Sequence, residues 1–158
     1  MAINLSAAGV SVNYAIEATA GVRPTTNYER LVGIKETPEL NPEPSSLDAT
    51  TLDETEYKVY VQGLKDIGGA LSFLANFTQV LVDQWDELMS EYEAAEAAGK
   101  AVWFAIIIPG IDEACFFTGT PSALGMPAAS VDAILETNLY ITPTNAPAWE
   151  TKPTVISA

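Results

Sequence analysis

The sequence predicts a mainly β protein with one flanking helix, folded as an antiparallel β-sandwich or a partly closed barrel. Three observations support this prediction. Several segments alternate apolar and polar residues with a period of two, which is typical of strands that bury one face. Residues 79–98 repeat apolar residues at helical spacing, and residues 101–108 are apolar on both faces. At 158 residues the chain suits a single domain, residues 1–158.

The N-terminal third predicts two strands and a long connection. Residues 1–9 have little periodicity and are interpreted as a loose arm, and the segments 10–18 and 28–35 each alternate as a strand does. The connection 37–56 holds three prolines and many acids, with three leucines spaced through it: Leu40, Leu47 and Leu52. A loop of this length is uncommon inside a compact domain and is usually functional. It is either a mobile surface loop or an extended arm that packs on a neighbouring copy.

The middle of the chain predicts a pair of strands followed by the helix. Residues 57–62 and 71–78 alternate on either side of a glycine-containing turn, so each is expected to place one face against a core. Thr78 can cap the helix, and Gly99 can end it. One helix face is apolar and the opposite face is acidic, so tertiary packing must hold this helix. The apolar face comprises Leu81, Trp85, Leu88, Tyr92 and Ala95.

The C-terminal part predicts three more strands and a second arm. The doubly apolar segment 101–108 is followed by a turn at residues 109–112 and a partner strand at 114–120. A loop at 121–127 leads to a long last strand at 131–141. Prolines then interrupt regular structure, so residues 143–158 are interpreted as a C-terminal arm, pinned by Trp149.

The composition argues against several classes of function. The formal net charge of −14 leaves no basic surface for nucleic-acid phosphates, and the chain has no histidine to act as a general base or metal ligand. The only cysteine, Cys115, lies in an apolar strand pattern and is interpreted as a core residue. We therefore predict no enzyme activity and no cofactor. No secretion signal or membrane segment is recognisable, so the cytosol is the expected compartment before any assembly.

One acidic cluster contains residue types that can bind a metal ion. Asp48, Asp53, Glu54 and Glu56 lie close together in the long connection and could hold a calcium ion. Their spacing matches no EF-hand, and threonines separate the acids. A solvated acidic loop is the ordinary explanation, so no metal site is predicted.

A family resemblance appears in the middle of the chain. The order TTLDET (50–55), YKVYVQGLKDIG (57–68), LSF (71–73) and then Trp85 near the start of a helix resembles the central signature of the major tail tube proteins of long-tailed bacteriophages. The specific part covers residues 28–88. Two features depart from the family pattern: Gln62 stands where proline is common, and residues 41–46 carry prolines where glycine pairs are frequent.

The resemblance implies a structural role in a virion. It implies a fold of the tail-tube type, six subunits that close a ring, and rings that stack through the long connection and the terminal arms into a tube for double-stranded DNA. It favours the arm interpretation, with Leu40, Leu47, Leu52 and Trp149 as inter-subunit residues. Partners would be further copies and the tail-tip, tape-measure and tail-terminator proteins, with assembly in the host bacterial cytoplasm. DNA would pass without specific binding, and we hypothesise that the acidic charge keeps its phosphates from adhering.

Two other interpretations stay open. One is the inner-tube protein of a contractile tail or secretion machine, which would need an outer surface that binds a sheath. The other is a monomeric β-sandwich that binds glycans or decorates a capsid. Self-association into rings or tubes would support either of the two tube interpretations, and a stable monomer would support the β-sandwich.

Overall fold

The computed structural model describes residues 8–65 and 69–156, and these contain one helix and eleven strands. The sequence predicted seven or eight strands. The larger number arises because one predicted strand is divided and because the connection and the C-terminal segment contribute strands of their own. The elements are β1 Ser11–Ile16, β2 Tyr28–Arg30, β3 Ile34–Glu36, β4 Ser46–Asp48, β5 Tyr60–Gln62, β6 Leu71–Asn76, α1 Gln79–Ala97, β7 Val102–Ile107, β8 Glu113–Pro121, β9 Glu136–Pro143, β10 Ala148–Thr151 and β11 Val155–Ile156.

Nine strands form one curled sheet, and the other two form a separate ribbon. The order in the sheet is β11-β2-β1-β7-β8-β9-β6-β3, with β10 also paired to β8. All neighbours are antiparallel except β11 and β2. Because β2 and β3 are consecutive in sequence yet stand near opposite ends of this order, the sheet must roll up to bring its ends together. The predicted fold class, a mainly β partly closed barrel with one helix, is confirmed.

The single strand predicted for residues 28–35 is wrong. The chain pairs with β1 through Arg30, bends at residues 31–33, and then pairs with β6 at the far end of the sheet. Leu31 still donates its N–H to the Val12 carbonyl at 2.9 Å, whereas the Gly33 carbonyl accepts from Asn76 N–H at 3.0 Å. Gly33 makes this turn with a φ of +88°, which glycine adopts without steric cost.

The helix and its buried face are confirmed. Thr78 accepts a hydrogen bond from Leu81 N–H as the N-cap, and Gly99 follows the C-cap with a φ of +72°. Leu81, Trp85 and Leu88 are fully buried in the main core, and Tyr92 is partly buried against it. This core also takes buried side chains from five strands, including Tyr14, Phe73, Phe104, Phe117, Leu139 and Ile141.

A second, smaller apolar cluster lies on the other face of β7. It joins Ala15, Tyr28, Ala105, Ala114 and Phe116, with Trp103, Ile107 and Val155 packed against it. The rings of Tyr28 and Phe116 meet edge to face at 5.9 Å, and the Arg23 guanidinium lies 4.2 Å above the Phe116 ring. The prediction that the 101–108 strand is covered on both sides is therefore confirmed.

The C-terminal third departs from the predicted pattern at two places. The last long strand begins at Glu136 rather than at residue 131, and Val131 and Ile134 are exposed in the preceding loop. The segment predicted as a C-terminal arm pairs with the protein's own sheet: β10 lies beside β8, and β11 lies beside β2. β9 pairs only with the last three residues of β8, so β10 satisfies the free first half of that strand.

The predicted N-terminal arm, residues 1–9, falls mostly outside the described residues, as does the centre of the glycine-containing turn at 66–68. Gly9, with a φ of +85°, leads directly into β1.

Candidate assembly surface

A two-stranded hairpin, residues 45–64, stands apart from the main sheet and is referred to below as the ribbon. β4 and β5 pair in register, with Leu47 opposite Val61. The pairing continues at both ends, where Gly63 N–H donates to the Ser45 carbonyl and Ala49 N–H donates to the Val59 carbonyl, both at 2.8 Å. The segment predicted as an unstructured connection, 37–56, thus supplies one strand of a regular hairpin.

The ribbon has no face against the core. Every residue from 43 to 62 is exposed, so the prediction that the 57–62 strand buries one face is wrong. Tyr57 is 80% exposed and Leu64 is 91% exposed, and both faces of β5 carry large apolar side chains. The exposed apolar residues of the ribbon are Leu47, Leu52, Tyr57, Val59, Tyr60, Val61 and Leu64. Exposed apolar side chains grouped in this way are typical of interaction surfaces.

The outer edges of the ribbon are also unpaired. Within residues 8–65 and 69–156, β4 pairs only with β5 and β5 only with β4. An isolated two-stranded hairpin is marginally stable in water, and its open edges can template another strand. The described part of the ribbon therefore offers both open strand edges and exposed apolar side chains as a candidate contact surface.

Local hydrogen bonds explain how the ribbon keeps its shape. The Thr50 hydroxyl accepts from Val59 N–H at 2.8 Å, and Thr50 N–H donates to the Asp48 carboxylate at 2.9 Å. The hydrogen bonds from Thr50 hold the pKa of Asp48 below its usual range. Asp48 thus closes the hairpin, and none of the described acids form a cluster that could hold a metal ion.

The four residues predicted to lie between subunits occupy three different places. Leu47 and Leu52 are exposed on the ribbon, whereas Leu40 is partly buried against the subunit's own core. Trp149 is half exposed on β10, beside an open cavity lined by Ile111, Asp112 and Glu113. Their roles between subunits stay predictions.

Sequence reasoning missed Tyr60, Val61 and Leu64 as candidate contact residues. The signal was present, because residues 57–64 place aromatic or aliphatic side chains on both faces of a strand in an acidic chain. A strand with two apolar faces must be covered twice, and β5 is covered by nothing in the described part of this subunit.

Outside the ribbon, burial is the main cause of several raised pKa values. The Tyr14 hydroxyl donates to the Glu29 carboxylate at 2.7 Å, and burial, followed by that carboxylate and the nearby Glu91, raises the pKa of Tyr14 well above its usual value. Burial, together with Glu29 and Glu87, raises the pKa of Glu91. Burial likewise raises the pKa of the Cys115 thiol, which disfavours the nucleophilic thiolate.

Within residues 8–65 and 69–156, no helix is both long enough and apolar enough to cross a membrane.

Comparison with known proteins gives a structural match. No family model matches the chain, and no curated protein matches it in sequence. Among solved structures, the chain is similar to a component of the anti-feeding prophage baseplate, seen by cryo-EM with 6-fold symmetrisation. The TM-score is 0.63 at 10% identity, and the match covers 96% of this chain and 98% of the other. The two chains therefore share a fold over essentially their whole length.

Proposed function

We propose that this chain is a structural subunit of a phage tail or tail-like particle, and that it polymerises as stacked rings into a tube. The observation that supports this most directly is the ribbon. In the described chain it is a regular hairpin with exposed apolar side chains and unpaired outer edges, and it does not pack on the core of its own subunit. A second copy supplies both an apolar cover and a strand edge. Repetition of one such contact generates rings or filaments.

The proposed tube carries double-stranded DNA during ejection, with tail-tip, tape-measure and tail-terminator proteins as its partners. The strongly acidic composition supports this role, because a wall that repels phosphate lets the polymer slide. Six-membered rings follow from the resemblance to tail tube proteins.

A second candidate function is favoured by the structural match. The similar solved chain belongs to a baseplate, so this chain is equally well suited to an inner-tube position near the baseplate of a contractile or tail-like machine. Both candidates require self-association through the ribbon. They differ in whether the outer surface binds a sheath, which co-purification with a sheath protein encoded nearby decides.

Electron microscopy of concentrated protein tests the proposal. We expect the unmodified chain to form rings or tubes and Val61→Glu to form none, because this change places a charge on the apolar ribbon. The thermal midpoint of Val61→Glu should stay within about 2 °C of the unmodified chain, since surface changes away from the core alter stability by about 0.5 kcal/mol or less.

Val22→Glu is the matched control. Val22 is also exposed, at 58% against 53% for Val61, but it lies in the loop before β2 rather than on the ribbon. It should assemble normally. A stable monomer from the unmodified chain at high concentration contradicts the proposal.

A further inference from the structure

A second unpartnered strand edge lies at the start of β9. β8 pairs with β9 through Gly119–Pro121, opposite Ile141–Pro143, and Ser122 N–H adds one more bond to the Tyr140 carbonyl at 2.9 Å. The chain then leaves the sheet as the loop 122–135. Residues 136–139 of β9 therefore have β6 on one side and, in the described chain, no strand on the other. The open edge at residues 136–139, together with the facing loop 122–135, is referred to below as the notch.

The notch has the volume and the lining to take an extended segment. A cavity of about 420 Å³ is bounded on one side by the loop, through Ala123, Met126 and Pro127, and on the other by β9, through Asn138 and Tyr140. Met126 is 81% exposed and Tyr140 is 46% exposed, and Val131 and Ile134 add exposed apolar surface in the same loop. The notch thus combines a strand edge that has no partner strand in the described chain with a lining that is partly apolar.

Charge distinguishes the notch from the β5 side of the ribbon. Residues 57–65 carry two lysines, Lys58 and Lys65, and no acid, which is unusual in a chain with only seven basic residues. Residues 122–140 carry two acids, Asp132 and Glu136, and no base. Glu136 forms an ion pair with Lys35 of the same subunit, whereas Asp132 forms no ion pair within residues 8–65 and 69–156.

We infer that the notch receives the β5 edge of the ribbon from a second copy of this chain, which adds a strand to β9. Edge pairing provides the hydrogen bonds, the apolar side chains of the two surfaces cover one another, and the lysines face the acids. The ribbon and the notch are different surfaces of one subunit, so the contact is head to tail and repeats without limit or closes into a ring. This inference rests on the proposed function and names the receptor surface for the ribbon.

Disulfide trapping tests the inference. Asn138→Cys, on an exposed position of β9, is combined with Val61→Cys or Tyr60→Cys, which present the two faces of β5. The native Cys115 is buried and stays unreactive. After mild oxidation, one of the two double variants should give a ladder of cross-linked multimers on non-reducing denaturing gels. Each single variant, and Val61→Cys with Glu150→Cys on the edge strand β10, should give none.

The outcomes separate the inference from the proposed function. Rings or tubes in the microscope with no ladder from either Asn138 combination overturn the inference and leave the proposed function standing. A ladder from the Glu150 combination instead moves the receptor to β10 and also overturns the inference. Absence of any assembly by the unmodified chain removes the proposed function, and the inference with it.

Discussion

Glu17 is a buried acid whose carboxylate is saturated by hydrogen bonds. It is 4% exposed and accepts from the Trp103 indole N–H at 2.8 Å, from Ala101 N–H at 2.7 Å and from Gly21 N–H at 3.2 Å. Burial by itself raises the pKa of Glu17, but the donors outweigh it and the pKa is lowered overall. Glu17 therefore ties the end of β1, the following turn and the start of β7 together as an anion.

Glu17→Gln should destabilise the fold by about 1–3 kcal/mol, because an amide replaces one of the accepting oxygens and turns its own N–H groups toward donors. Urea unfolding followed by tryptophan fluorescence measures this loss. Glu93→Gln is the control, since Glu93 is an exposed helix acid and should change stability by about 0.5 kcal/mol or less. Equal effects of the two substitutions contradict this account of Glu17.

The same pair of variants gives a pH test. A carboxyl whose pKa is lowered by folding stabilises the protein above its unfolded pKa, about 4.3, and loses that contribution as pH falls through its folded pKa. The stability difference between the unmodified chain and Glu17→Gln should therefore be constant near neutral pH and shrink below about pH 4. A difference that grows on acidification reverses the sign and refutes the assignment.

At the scale of elements, α1 holds together parts of the sheet that do not pair with each other. Gln84 accepts from Val32 N–H at 2.9 Å and donates to the Arg30 carbonyl, on either side of the bend between β2 and β3. Trp85, one residue on, donates its indole N–H to the Ser122 carbonyl at 2.9 Å, where the loop 122–135 leaves β8. The helix thus holds in place both the bend between β2 and β3 and the start of the loop that forms one wall of the notch.

Gln84→Ala should cost about 1–2 kcal/mol, because two backbone groups at the bend lose their protein partners and turn to water. Chemical unfolding measures the loss, and hydrogen exchange at Val32 should quicken more than exchange at Phe104 in the core. Ser90→Ala, on an exposed position of the same helix, should be neutral or slightly stabilising through helix propensity. Unchanged exchange at Val32 in Gln84→Ala contradicts a clamping role.

Elements defined by local periodicity were predictable, and elements defined by distant partners were not. The helix from Gln79 and the doubly covered β7 follow directly from spacing and side-chain type. The bend at Gly33 was hidden because alternation continues across it, and β10 and β11 form only because β8 and β2 offer them edges. Alternation in residues 57–62 indicated the strand that forms at Tyr60–Gln62, but it could not say whether the faces of that strand are buried or exposed.

The candidate site was predictable in part for the same reason. Leu47 and Leu52 lie on the exposed ribbon as their place in a long polar connection suggested, but Leu40 contacts its own core. Spacing alone cannot distinguish a leucine that packs on the core of its own subunit from one that stays exposed on the surface. The notch had no sequence signal, because it exists only where β8 and β9 stop pairing.

At the scale of the whole molecule, packing and charge act in opposite directions on assembly. The nine-stranded sheet and the helix share a core of their own, whereas the ribbon and the notch expose apolar side chains and strand edges in the described chain. Burying this apolar surface favours association. Each copy also carries a formal net charge of −14, with 21 acids against seven bases, so copies repel one another at neutral pH. Exposed pairs such as lysine to Asp132 or Glu136 contribute about 0–1 kcal/mol each, too little to cancel this repulsion.

Added salt should therefore promote assembly rather than weaken it. Raising NaCl from about 0.1 M to about 1 M shortens the screening length from about 10 Å to about 3 Å, which suppresses repulsion between whole subunits more than it weakens contacts already buried. The concentration at which polymer first sediments should fall as salt rises. Val61→Glu should remain unassembled throughout, which excludes nonspecific salting-out. If polymer instead dissolves as salt rises, ion pairs rather than apolar burial and strand pairing hold the copies together, and the apolar ribbon is not the principal contact.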